Sequence, residues 1–254
     1  MIENTVKISV LIATRNRPQQ FLVALNSVLN QSYNNTEIIV VNDGSDSDSL
    51  AGYAEIESNF NDKVKFIYLN KRKNGHGPSF ARNTAADMAT GQYLAFLDDD
   101  DLWTDKELLS RFVATVAAEP KIELFFSNQK ALNADGEITK KSIWLESLIE
   151  RSSKLPKVTD SAVFATAKWL VSANSFAHLN CTIVQASLFA KINGFDESLR
   201  YEEDKDLFWR LLDSAQVIVY DKNYVALHYI PKQRGSASND VEYLKKREIQ
   251  IYIA

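Results

Sequence analysis

Apolar and polar positions alternate in blocks through the first hundred residues. Residues 7–14 form a short apolar run, and residues 19–31 follow with Phe21, Leu22, Leu25, Val28 and Leu29 at helical spacing. A second apolar run, 36–42, closes on Asp43-Gly44-Ser45, and a third, 93–97, opens after Gly91. The pattern predicts strands over 7–14, 36–42, 64–70 and 93–97, helices over 19–31, 50–60 and 79–90, and a polar loop over 71–78. Strands alternating with helices imply right-handed crossovers and a largely parallel sheet. In open sheets of this kind ligands bind beyond the carboxyl ends of the strands. Thr14-Arg15-Asn16-Arg17, Asp43-Gly44 and Asp98-Asp99-Asp100-Asp101 each follow a strand, so they are expected to converge.

The second half is less regular. Helices are predicted over 104–119, 142–151, 161–174, 185–192 and 203–214, and strands over 122–127, 182–184 and 217–220. Asn133-Ala134-Asp135-Gly136 reads as a turn between short strands, and 152–160 as a polar linker. Residues 240–254 read as a helix that stops without a cap, as in a truncated chain.

Composition narrows the class. A chain of 254 residues is one large α/β domain or two small ones, and 45% hydrophobic residues support a real core. A net charge of −4 argues against general nucleic-acid binding, which needs a basic footprint. The single cysteine, Cys181, excludes an internal disulfide and any multi-cysteine zinc site. It reads as a small buried hydrophobe rather than a nucleophile. No apolar stretch approaches the ~18 residues of a membrane span. The N-terminus lacks the basic region of a secretory signal. The cytoplasm is therefore the expected location, with peripheral attachment at the inner face of the membrane left open.

The junction at residue 97 carries the most chemistry, because four aspartates follow directly on a buried strand. Carboxylates about 4 Å apart repel by roughly 1 kcal/mol in water and about 4 at an effective dielectric of 20. A fold that gathers four is expected to hold a cation, and oxygen-rich sites suit Mg²⁺ or Mn²⁺. Helix capping is the competing explanation, although one or two carboxylates would suffice for it. Arg15 and Arg17 at the end of the first strand either clamp diphosphate oxygens or are solvated surface residues. Asp43 either accepts from a nucleotide or closes its own turn. The loop 71–78 is cationic, and Arg82-Asn83 lie one turn into the next helix. Tyr201-Glu202-Glu203-Asp204 offers a general base, or acids that merely favour a helix start. His228, on the apolar strand-like run 225–230, reads by itself as a core histidine.

In this order the pieces resemble the family-2 glycosyltransferases of the GT-A fold. The resemblance runs through Ile8-Ser9-Val10-Leu11-Ile12-Ala13-Thr14-Arg15-Asn16-Arg17-Pro18, Val40-Val41-Asn42-Asp43-Gly44-Ser45 and Ala81-Arg82-Asn83. It continues through Phe96-Leu97-Asp98-Asp99-Asp100-Asp101 and Gly194-Phe195-Asp196-Glu197 to Glu203-Asp204 and Arg210. It spans about residues 7 to 230; any one piece is weak and the ordered set is specific.

The resemblance implies a single GT-A (Rossmann-like) α/β domain over 1–254, with a mostly parallel central sheet flanked by helices. Residues 1–101 would form its nucleotide-binding half and 102–230 its acceptor-binding half. It implies an inverting, metal-dependent transferase with a nucleotide-sugar donor of UDP or dTDP type, a saccharide or glycolipid acceptor, and Mn²⁺ or Mg²⁺ as cofactor. Surface-polysaccharide or glycolipid assembly would be its setting. Carried onto this chain, Ala13, Thr14, Arg15, Arg17, Asp43, Arg82, Asp98 and Asp99 would bind the nucleotide sugar. Asp100, Asp98 and His228, which lies 24 positions after Asp204, would hold the metal. Asp204 would be the base, with Glu203 beside it. Asn42 departs from the family, which usually has an aspartate there, and the run of four aspartates makes the metal-binding one ambiguous. Two rivals remain: a phosphoryl-transfer metal enzyme with a strand-end aspartate nucleophile, and a non-catalytic nucleotide-sugar-binding module.

Overall fold

The computed structural model describes residues 6–230 except 61, 134, 140–142, 146 and 174. The expectations for the N-terminal residues and for a helix over 240–254 lie outside the described residues. The first half follows the alternating pattern. Strand β1 (Ile8–Thr14) leads to helix α1 (Pro18–Leu29), β2 (Thr36–Asn42) to α2 (Ser47–Phe60), and β3 (Val64–Tyr68) to α3 (Pro78–Asp87), before β4 (Tyr93–Phe96). These strands pair in parallel in the order β3-β2-β1-β4. β1 lies in the interior, with Ile8, Val10 and Ile12 fully buried and Leu11 nearly so. A continuous apolar run suits a strand covered on both faces.

Beyond β4 the sheet becomes mixed. The next elements are β5 (Leu102–Trp103), α4 (Leu108–Ala118), β6 (Leu124–Asn133), α5 (Leu148–Arg151), β7 (Ala162–Ala165) and α6 (Ala167–Val171). They are followed by β8 (Thr182–Gln185), α7 (Ala186–Lys191), α8 (Glu203–Ser214) and β9 (Ile218–Ile230). The nine-stranded sheet continues β4-β8-β6-β9-β5, and β7 also pairs with β9. β8 is antiparallel to β4 and β6, whereas β6 and β9 are parallel. One contiguous apolar cluster runs from Val6 to Ala226. No helix of the described residues is long and apolar enough to cross a membrane.

Four expectations need correction. Residues 161–174 are not one helix: Ala162–Ala165 form β7 on the edge of β9, and Thr166 then caps the short α6 by accepting from Trp169 N–H. Burial of Ala162, Val163 and Ala165 against the sheet overrides helical spacing. Of 142–151, only Leu148–Arg151 is helical among the described residues. The helix expected over 104–119 starts only at Leu108, after Leu102–Trp103 has paired with β9. The strands expected over 122–127 and 217–220 run on to Asn133 and Ile230, each supplying the other's backbone partners, and the second takes in the strand-like run that carries His228.

Candidate active site

Register explains the convergence at the strand ends. Thr14 pairs with Asn42 and Leu11 with Phe96, so the residues after β1, β2 and β4 share one edge of the sheet. A cavity of about 540 Å³ opens there. Its lining includes Ala13, Thr14, Arg15, Arg17, Asp43, Arg82, Asp98 and Asp99, the full set expected to bind the nucleotide sugar, together with Asp100, Asn74, Gly77 and Arg200. Asp43 faces it while accepting from His76 N–H at 2.7 Å and Gly77 N–H at 3.0 Å. Asp43 thus clasps the cationic loop 71–78 at the cavity, whereas its own turn is closed by Asn42, whose Oδ1 accepts from Ser45 N–H at 2.9 Å. Gly75 makes this possible: its φ is +67°, and a Cβ there would lie 2.3 Å from Asp43 Oδ2. Arg15 donates to the carbonyls of Arg72 and Lys73.

The four aspartates have four different surroundings. Asp98 accepts from Arg82 at 2.6 Å and lies 3.5 Å from His178 Nε2. Burial pushes its pKa up, but the charges of Arg82 and His178 outweigh this and hold it well below the usual range. Asp99 is buried, accepts from Thr14 Oγ1 at 2.6 Å and pairs with Arg17. Burial dominates there and pushes it up to about 7 despite Arg17. Asp100, half-buried, is the most exposed of the four and pairs with the other arm of Arg17. Asp101 is buried and saturated, accepting from Asn180 Nδ2, from His228 Nδ1 at 2.7 Å and from Tyr229 N–H at 2.7 Å.

Arg82 is only 8% exposed. Its two arms donate to Asp98 and, at 2.8 Å, to Glu203 Oε1, so it ties the aspartate loop to the start of α8. Arg17 and Arg82 therefore reach the cavity already paired with carboxylates. Arg200, which the sequence reading did not single out, donates only to the carbonyls of Asn74 and Gly75 and pairs with no carboxylate among the described residues. Its guanidinium lies 3.5 Å from where a Cβ on Gly77 would stand.

A second cavity, of about 450 Å³, adjoins the first and shares Pro78, Arg82, Asp98, Arg200 and Tyr201 with it. Asp204, Glu203, His178, His228 and Trp144 face it. Asp204 is the second residue of α8, while Glu202 in left-handed conformation is the N-cap, so Asp204 is not the capping residue. Burial and then, against Arg82, the nearby Asp98 raise its pKa, as burial does for Glu203. A carboxylate raised toward neutrality is a better proton acceptor at working pH than an ordinary one.

His178 Nε2 lies between Asp98 and Asp204, at 3.5 and 3.7 Å. Asp101, His178 and His228 each present a ligand atom within 4.8 Å of the others, a set with the chemistry to hold a divalent cation. Because Asp101 is saturated, it fits the role of the carboxylate that orients His228 through Nδ1 and leaves Nε2 toward the cavity. Cys181 is buried, with its thiol pushed up to about 12 by burial, in keeping with a small hydrophobe.

A sequence profile of glycosyl transferase family 2 matches residues 9–179. The chain belongs to that family. An uncharacterized glycosyltransferase of Rickettsia typhi is 28% identical over 220 residues, covering 85% of this chain and 63% of the relative. The GalNAc(5)-diNAcBac-PP-undecaprenol beta-1,3-glucosyltransferase of Campylobacter jejuni is 32% identical over 152 residues, 53% of this chain and 46% of that one. The chain spans less than two thirds of the length of these curated relatives. Among solved structures, residues 1–349 of S. aureus TarS with UDP-GlcNAc match at TM-score 0.70 and 20% identity, over 96% of this chain and 66% of the other. The mannosyltransferase PcManGT of Pyrobaculum calidifontis, with GDP-Man and Mn²⁺, matches at 0.69 and 17%, over 93% and 61%. These two likenesses establish the GT-A fold.

In this family-2 chain, the side chains that sequence reading missed are His178, Asn180, Asp101 as an orienting group, and Arg200. The antiparallel register of β4 with β8 sets residue 98 opposite 180, and that of β5 with β9 sets 101 opposite 228. No local pattern signals these pairings. Arg200 was within reach, as a lone cation just before the acidic run.

Proposed function

We propose that this family-2 chain moves a sugar from a nucleoside-diphosphate donor to an acceptor hydroxyl by direct displacement, with inversion at the anomeric carbon and Mn²⁺ or Mg²⁺ as cofactor. The observation that carries this reading is the wall shared by the two cavities. Asp98, Arg82 and Arg200 face both, so a donor seated on the strand ends directs its sugar toward Asp204. Ala13, Thr14, Arg15 and Asp43 hold the nucleotide, with Asp98 and Asp99 beside the ribose. Arg200 meets the diphosphate, helped by Arg17 where Asp100 turns to a cation. Asp204 takes the proton of the attacking hydroxyl, and Glu203, held by Arg82, fixes the helix start that carries it.

The residues to hold the metal are Asp98, Asp100 and His228, with His178 adjacent. The ion supplies charge neutralisation for the departing nucleoside diphosphate. UDP-type donors are in keeping with the TarS complex with UDP-GlcNAc, and a metal with the PcManGT complex with Mn²⁺. A saccharide or glycolipid acceptor, at the inner face of a membrane, is in keeping with the lipid-linked substrate named for the Campylobacter relative. Residues 1–101 then serve as the donor half and 102–230 as the acceptor half of one domain.

The test is release of nucleoside diphosphate from UDP-, dTDP- and GDP-sugars with Mn²⁺ present. Asp204→Asn is expected to retain fold and UDP binding while turnover falls by about 10²–10⁴. Near-normal turnover in Asp204→Asn with collapse in Glu203→Gln would move the base to Glu203. Phosphate release from simple monoesters, without sugar transfer, would favour the phosphoryl-transfer rival.

A further inference from the structure

Trp144 sits between β6 and α5 with φ +61°, in the left-handed region that bulky residues rarely occupy. Hydrogen bonds on either side hold it there: Ile143 N–H donates to the Gln129 carbonyl at 3.1 Å, and Phe176 N–H to the carbonyl of Trp144 at 3.2 Å. The residue is 36% exposed and lines the cavity that contains Asp204. Its ring centre is 5.4 Å from that of His178, 5.2 Å from that of His228 and 5.3 Å from that of Phe176. His178 in turn reaches to 3.7 Å from Asp204. One imidazole therefore separates the indole from the base.

Exposed indole area in an acid-lined cavity matches one kind of group well. A pyranose ring has a flat C–H face that packs on an aromatic surface through dispersion, and a rim of hydroxyls that needs polar partners. The same cavity supplies such partners in Glu202, Lys205 and Tyr201. Lipid alcohols and serine or threonine hydroxyls have no comparable flat face.

Taking the transfer reaction proposed above as given, we infer that Trp144 is the platform on which the acceptor's sugar ring stacks. The acceptor is then a pyranoside, and the ring fixes which of its hydroxyls meets Asp204. The strained backbone serves this by presenting the indole face to the cavity.

The test uses methyl β-D-glucopyranoside, methyl β-D-galactopyranoside and methyl N-acetyl-β-D-glucosaminide, with the full chain, UDP and Mn²⁺. Saturation-transfer NMR is expected to reach the C–H protons of one pyranoside face in the wild type. Trp144→Phe should keep that signature, whereas Trp144→Leu, apolar but not flat, should lose it and weaken binding by about tenfold. Thermal stabilisation by UDP should be unchanged in both, which establishes that the variants are folded. Equal glycoside binding in Trp144→Leu would overturn the assignment. So would failure of all three glycosides to bind the wild type, or preferential binding of glycerol phosphate or N-acetylserinamide. Because these are binding measurements, they stay separate from the transfer reading, which falls if the wild type releases no nucleoside diphosphate from any sugar donor.

Discussion

Arg82→Ala separates two roles for the arginine that joins the halves of the site. The buried guanidinium donates at 2.6 Å to Asp98 and at 2.8 Å to Glu203, and lies 5.4 Å above the Phe195 ring. Truncation leaves two largely buried carboxylates without the guanidinium that pairs them. Removing one partner of a buried ion pair costs roughly 3–5 kcal/mol. In a domain of this size each kcal/mol shifts the melting temperature by about 2–4 °C, so a fall of about 6–20 °C is expected.

The pH dependence follows from the sign of each shift. In the wild type Asp98 is held below its ordinary value, so its contribution is present above the unfolded pKa and is lost only as pH falls through the depressed one. Without Arg82, burial at Asp98 is opposed only by the neighbouring imidazoles of His178 and His228, and burial together with Asp204 raises Glu203, so both shift upward. The folded variant then binds protons more readily than the unfolded chain, and its deficit relative to the wild type shrinks as pH falls. Urea unfolding at pH values from about 5 to 8 measures this directly. Adding Glu203→Gln should restore part of the loss by removing one unpaired charge. A deficit below about 1 kcal/mol, or one independent of pH, would refute the reasoning. A tenfold loss of UDP affinity (about 1.4 kcal/mol) at unchanged stability would instead make Arg82 a donor ligand.

Three further outcomes are expected. Asp99→Asn should equal or exceed the wild type in thermal stability near pH 8, because burial raises the Asp99 pKa to about 7 and ionisation above it works against the fold. That advantage should vanish as pH falls below the unfolded value of about 4, and a variant less stable at every pH would show that the ionised pair with Arg17 matters more. Asp101→Asn should weaken Mn²⁺ binding by about 10–100-fold in calorimetry, since His228 loses the carboxylate that orients it; unchanged affinity would take His228 out of the metal site. Gly75→Ala should cost about 1–3 kcal/mol of local strain and break the Asp43 clamp, seen as weaker UDP binding and faster proteolysis in the 71–78 loop; unaltered UDP affinity would separate that loop from the donor.

The parallel half of the fold and its strand-end motifs were legible because the information is local. Apolar runs such as Val10-Leu11-Ile12 and Tyr93-Leu94-Ala95-Phe96 code for strands buried on both faces, and crossover rules then place their carboxyl ends together. The residues expected at the donor site line one cavity for that reason. The acceptor side was less legible. Residues 162–165 carry helical spacing, and only the free edge of β9 makes them a strand. His228 lies on the strand-like run its sequence suggests, but its meeting with Asp101 comes from the pairing of β9 with β5. His178 and Asn180 reach the aspartates through the antiparallel register of β8 with β4, and the pairing of Arg82 with both Asp98 and Glu203 spans 121 residues of chain. Periodicity reports which face of an element is buried. Which distant charges meet, and so which arginines reach the cavity already paired, is decided by strand order and register, which no short window of sequence contains.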